Sequence, residues 1–172
     1  MGYIVSILAL LVGLSYINND EFRVGVNDFL HLGKDHTVNL VKQTTYEFDK
    51  SVTIGTALDN YKYFHRNTQW SNYTSDSGRN VVKFVGFIPA EDCENCTRVF
   101  LENTKSIQWE LLFQVNTDKS YEVAACTFSF IGTDGTITRG GASEDPSICI
   151  RTIKQIYSGN NILNMLGLSN LG

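Results

Sequence analysis

SIQWELLFQV, residues Ser106 to Val115, is the stretch on which the fold turns. Ile107, Trp109, Leu111, Phe113 and Val115 alternate with Gln108, Glu110, Leu112 and Gln114. In an extended chain successive side chains point to opposite faces, so this pattern predicts a strand with one apolar face and one mixed face. Such a strand needs hydrogen-bonded neighbours on both sides and a cover for its apolar face. Asn116 to Lys119 is a polar turn, and Tyr121 to Ile131 returns as an antiparallel partner. Thr133-Asp134-Gly135 ends that strand with hairpin chemistry, and Thr136 to Thr138 adds a brief edge strand. Upstream, Gln69 to Thr74 and NVVKFVGFI, Asn80 to Ile88, read as strands around the turn composition SDSG, Ser75 to Gly78. Arg98 to Leu101 reads as a short strand or the start of the next one.

Helices frame this block. TIGTALDNYKYFH, Thr53 to His65, sets Ile54, Ala57, Leu58, Tyr61 and Phe64 on one stripe, with Thr53 as N-cap. A final helix is predicted from Asp145-Pro146, an N-cap followed by proline at the first helical position. Cys149, Thr152, Ile153, Ile156 and Tyr157 form its inner face, and Gly159 ends it. Val38, Leu40 and Val41 suggest a short strand or linker. The fold class is therefore α+β. It comprises an antiparallel β-meander of about four strands, packed by one main helix and a C-terminal helix, with an apolar N-terminal helix. In domain terms, residues 1–17 are a signal sequence or membrane anchor and 18–36 an amphipathic helix or linker. Residues 37–160 are the α+β domain, and 161–172 an apolar tail.

Composition narrows the function classes. With 42% hydrophobic and 19% charged residues, the 172-residue chain can bury a sizeable core. The net charge of −4 leaves no basic surplus for phosphates, which argues against nucleic-acid binding. GYIVSILALLVGLSYI, Gly2 to Ile17, carries no charged side chain. It is long for the apolar core of a signal peptide and short for a span of about 20 residues. An export signal or uncleaved anchor is the favoured reading, with a buried N-terminal helix as the alternative. Membrane contact, where it occurs, runs through residues 2–17. No cysteine follows this run before Cys93, which argues against a lipid-modified cysteine anchor.

The cysteines are Cys93, Cys96, Cys126 and Cys149. An even set in a small exported domain points to disulfides. Cys93–Cys96 with Cys126–Cys149 is the preferred pairing, and Cys93–Cys126 with Cys96–Cys149 stays open. As a redox motif CENC is disfavoured, because acidic neighbours disfavour the thiolate. As a zinc site it lacks a second pair. His31 and His36 lie five apart, a spacing that does not suit a helical metal site, and are read as solvated surface. His65 is placed to cap its helix as a C-terminal cation. Arg139-Gly140-Gly141 reads as a loop before the last helix and does not match a phosphate-binding loop. Asn72-Tyr73-Thr74 and Asn95-Cys96-Thr97 match glycosylation sequons. No nucleophile context, metal set or cofactor motif emerges, so no catalytic residue and no cofactor are assigned, and the chain reads as a non-enzyme. Tyr63, Leu163, Met165 and Leu166 are candidates for a contact surface.

Several stretches together resemble a known pattern: TIGTALDNYKYF (Thr53 to Phe64), Trp70, GRNVVKFVG (Gly78 to Gly86), WELLFQV (Trp109 to Val115) and YEVAACTFSF (Tyr121 to Phe130). Residues 40 to 131 resemble a family of uncharacterised bacterial envelope domains, exported or membrane-tethered, some behind a zinc ribbon and a single transmembrane segment. The shared motifs describe packing and turns. The resemblance implies an envelope-facing binding domain and carries over no catalytic residue. The resulting expectation is a non-catalytic accessory or structural subunit of the cell envelope that binds another envelope protein. A small apolar-ligand module, with a cavity lined by Trp109, Phe113, Phe84 and Tyr61, is the alternative. A hydrolase or isomerase would need Asp59, Glu110 or His65 in a pocket.

Overall fold

In a computed structural model the described residues are 34–93, 96, 98–143 and 145–165. The helix expected over 1–17 lies outside them, and so do residues 18–33 of the helix or linker expected over 18–36, whose last three residues are helical. The fold below is that of the unit beginning at Val38.

The element order begins with α1 (Lys34–Gln43), where the sequence suggested a strand or linker. The β-branched valines misled; Val38 and Val41 are one helical turn apart, and Val41 is fully buried. The hairpin β1 (Thr45–Tyr46) and β2 (Asp49–Thr53) follows and forms a separate two-stranded sheet. Helix α2 (Ile54–Asp59) starts as expected, with Thr53 Oγ1 accepting the Thr56 N–H at 3.2 Å. It is shorter than predicted. Tyr61 is extended, and Lys62–Phe64 continue as a 3-10 turn. The break serves the phenol of Tyr61, which donates to the Asn160 carbonyl at 2.6 Å and accepts the Ile162 N–H at 3.0 Å.

The main sheet has five strands in the order β3 (Thr68–Thr74), β4 (Asn80–Pro89), β5 (Thr104–Val115), β6 (Tyr121–Gly132) and β7 (Ile137–Ser143). Every neighbouring pair is antiparallel, so the expected meander is present with one strand more than anticipated. Strand β5 is central. Its alternation is as read: Ile107, Trp109, Leu111, Phe113 and Val115 are buried, and the residues between them are half-exposed.

Two segments change type. Arg98–Asn103 is helix α3, not a strand. An Arg98–Glu102 pair at 2.7 Å supports the turn, and Phe100 meets Phe130 at 5.4 Å between ring centroids. Arg139, Gly140 and Gly141 belong to β7, not to a loop. A Cβ on Gly140 would stand 2.3 Å from the Phe130 ring, so the glycine lets the edge strand pass over that side chain. Helix α4 (Pro146–Tyr157) matches its prediction, with Asp145 Oδ1 accepting the Ser147 N–H at 2.9 Å. A 3-10 turn, Ile162–Met165, closes the described chain.

Helices α1 to α4 reach the sheet through one face. Phe64 stands 5.5 Å from Phe84 and 6.1 Å from Trp109, and Cys149 of α4 is bonded to Cys126 of β6. The close seat of Phe64 depends on Gly86, where a Cβ would come within 2.6 Å of the Phe64 ring. Trp109 is fully buried, and its indole N–H has no hydrogen-bond partner.

These contacts give two stability predictions, both measured by urea denaturation. Trp109→Ala should cost about 3–5 kcal/mol. Trp109→Phe should cost less than half as much, because it keeps a ring and removes an unsatisfied donor. Gly86→Val should cost about 1–3 kcal/mol by displacing Phe64; an unchanged midpoint would show that Phe64 is not held by this contact.

Candidate functional site

The chemistry-bearing residues fall into four places. The first is the pair of disulfides. Cys93–Cys96 and Cys126–Cys149 are both formed, which is the preferred pairing. They differ in job. Cys126–Cys149 ties β6 to α4 across a separation of 23 residues, whereas Cys93–Cys96 closes a single turn of separation 3, in which the Cys96 N–H donates to the Cys93 carbonyl. On loop-closure entropy, the long link contributes about 3.5 kcal/mol and the short one about 2 kcal/mol. Both fit an oxidising, extracytoplasmic compartment. Among the described residues, no helix is long and apolar enough to cross a membrane.

The second place is the corner at Asp92. Its Oδ2 lies 2.7 Å from His65 Nε2, and its carbonyl accepts from Asn161 Nδ2 at 2.9 Å. His65 does end its turn, with its backbone N–H donating to the Lys62 carbonyl at 3.2 Å, but its ring faces Asp92 and does not cap carbonyls as a cation. Its backbone is left-handed, φ 48°, which turns the ring away from the preceding turn and towards Asp92. Arg66 follows at φ 61°. These two non-glycine residues in the left-handed region mark a strained turn. A polar groove of 380 Å³ beside it is lined by Asn60, Tyr61, Lys62, His65 and Arg66.

The third is a cluster of phenols. The Tyr46 ring lies 6.5 Å from Tyr121 and 6.0 Å from Tyr157, and Phe48 stacks on Tyr46 at 5.0 Å. Tyr46 Oη is buried without a hydrogen-bond partner. Burial, reinforced by Tyr121 and Tyr157, pushes the Tyr46 phenol well above its ordinary value. Burial also raises Tyr61, Tyr121 and Tyr157. A shallow groove of 520 Å³ runs past Tyr46, Tyr121, Lys119 and Ile150.

The fourth is the sheet face opposite the helices. It carries Gln69, Ser71 and Tyr73 of β3, Val81, Lys83, Val85 and Phe87 of β4, and Gln108, Glu110, Leu112 and Gln114 of β5. Strands β6 and β7 add Ala125, Thr127, Ser129 and Ile131, then Ile137 and Arg139. Tyr73 is 45% exposed and Ile137 69%. Polar links run across it: Lys83–Glu110 at 3.6 Å, Arg79 Nη1 to Gln114 Oε1 at 2.7 Å, and Gln114 Nε2 to Glu122 Oε1 at 3.0 Å. Sequence reading assigned its residues, Arg139 apart, to strands and did not single it out as a surface. The signal was available in the polar alternates of Ser106 to Val115.

Other expectations find their places here. Of the contact candidates, Leu163 is 1% exposed and belongs to the core, because the chain folds back under Tyr61. Tyr63 is half-buried against that core, with Lys62 Nζ 4.6 Å from its ring centroid. Met165 ends the last 3-10 turn, and Leu166 lies outside the described residues. The rings of Trp109, Phe113 and Phe84 pack on one another and their neighbours, and all three are fully buried. The grooves described here are not lined by these three, and only Tyr61 of the proposed cavity set borders one.

The three acid-base candidates are separated. Asp59 is occupied by Lys42 Nζ at 2.7 Å, Trp70 Nε1 at 2.7 Å and Thr68 Oγ1 at 3.2 Å. Glu110 lies on the open face, and His65 at the Asp92 corner. His31 is outside the described residues and His36 is exposed. Among the described residues no group of three His, Cys, Asp or Glu side chains is placed to hold a metal ion. Comparison with known proteins finds no matching family model, no matching curated protein and no matching solved structure.

The phenols give a pH prediction. Their folded values lie above the ordinary value of about 10, so the folded chain keeps protons that the unfolded chain releases. That stabilisation is complete below pH of about 10 and is lost as pH rises beyond it. The urea midpoint should hold steady to about pH 9 and fall above about pH 10, and the part of the tyrosinate absorbance that Tyr46→Phe removes should rise only as the chain unfolds. Full titration of that part in the folded state would contradict the burial argument.

Proposed function

We propose that this chain is a non-catalytic accessory or structural subunit of a bacterial cell envelope, and that it binds another envelope protein through the open face of its five-stranded sheet. The observation that carries the reading is the one-sidedness of the fold. Helices meet the sheet through the Trp109 face, while the other face presents exposed Tyr73 and Ile137 and half-buried Phe87 and Leu112 among Lys83, Glu110 and Gln114. Apolar and aromatic side chains inside a polar frame are the composition of a protein contact surface. An antiparallel sheet tolerates water on such a face, so the free domain is stable before its partner arrives.

Three further features support the setting. The two disulfides suit an oxidising space. The uncharged stretch Gly2 to Ile17 would export or tether the domain. The resemblance of residues 40 to 131 to envelope domains agrees with both.

The test places a photo-crosslinking residue at Leu112 or Tyr73, on the open face, and separately at Ile148, exposed on α4. Each variant is expressed as the full chain in its native membrane fraction. The expected result is one stoichiometric protein adduct from Leu112 and Tyr73 and none from Ile148. Adducts from Ile148 alone, or a monomer that forms none at any position, would overturn the proposal.

A further inference from the structure

We propose that Cys93–Cys96 is a thiol-exchange site, opened by a dithiol reductant in the folded protein while Cys126–Cys149 stays closed. This goes beyond partner binding and does not depend on it. The four half-cystines differ in access. Cys126 and Cys149 are 3% and 0% exposed and lie between sheet and helix. Cys93 is 4% exposed, whereas Cys96 is half-buried, the most accessible residue of the four and so the one at which exchange with an outside thiolate would begin. The ring they close lies within one turn, so opening it separates no strand from its neighbour and no helix from the sheet. Breaking Cys126–Cys149 would instead release α4 from β6.

The exchange balances as two displacements. A thiolate of the reductant attacks Cys96 Sγ and forms a mixed disulfide with it. The Cys93–Cys96 bond breaks, and Cys93 leaves as a thiolate that takes a proton from water. The reductant's second thiolate then attacks its own first sulfur and closes a cyclic disulfide. Cys96 leaves in turn and is protonated. Two electrons pass from reductant to protein, and two thiols remain.

The consequence is local and runs through Asp92. Its carboxylate holds His65 and its carbonyl holds Asn161, whose Oδ1 accepts the Leu163 N–H at 3.0 Å. Releasing the neighbouring ring loosens the anchor of the segment from Asn161 to Leu163.

The test uses the full oxidised chain and dithiothreitol without denaturant, quenched with iodoacetamide and mapped by peptide mass. Cys93 and Cys96 should be alkylated roughly tenfold or more faster than Cys126 and Cys149, with strand content by circular dichroism unchanged. Hydrogen exchange at the Leu163 amide should quicken after this reduction, and equally in the Cys93→Ser/Cys96→Ser variant. Reduction of all four cysteines at one rate, resistance of all four until denaturant is added, or unchanged Leu163 exchange would each overturn the proposal.

Discussion

The structure depends on one demand made by the central strand. The apolar side of β5, from Ile107 through Trp109 to Val115, must be taken out of water, and no single neighbouring element is large enough to do it. Phe64 answers at the centre by resting on Gly86 and facing both Phe84 and Trp109. Ile54 and Leu58 of α2, Ile153 and Ile156 of α4 and the returning Ile162 and Leu163 complete the cover. Trp109 sits so deep that its N–H is left without a partner, a cost tolerated for the area that the ring buries.

One-sided cover has a consequence for function. Side chains between the buried positions of β5 are left half-exposed, and they align with those of four neighbouring strands into a continuous face. The cross-strand links Lys83–Glu110 and Gln114–Glu122 hold that face in register without closing it. The proposed partner-binding role and the stability of the core are thus two sides of one sheet. The disulfides divide in a similar way: Cys126–Cys149 secures the covered side, and Cys93–Cys96 rims the corner where Asp92 gathers His65 and Asn161.

The strands were legible because alternation is a local signal. Ser106 to Val115, Asn80 to Ile88 and Tyr121 to Ile131 all appear within a few residues of their expected limits. The caps Thr53 and Asp145 were legible because an N-cap bonds its own helix a few residues on. Segments whose type is decided elsewhere were not. Val38 to Val41 has strand-forming residues but folds as a helix, and Arg98 to Leu101 is too short for its period to distinguish the two. Gly140 and Gly141 look like a loop until Phe130 is seen to need the space above Gly140. The Asp92 corner could not be read at all, because His65, Asp92 and Asn161 are distant in sequence and each looks ordinary alone.

By itself, then, the sequence determined which residues must be hidden, where the chain turns and that its cysteines come in pairs, since periodicity, turn chemistry and cysteine number are written along the chain. Three dimensions were needed to show that the described helices gather on one side, that Leu163 belongs to the core and not to a contact surface, and that none of those helices covers the opposite face of the sheet. Those outcomes depend on which distant side chains compete for the same apolar area, a competition that is resolved in three dimensions and leaves no local mark.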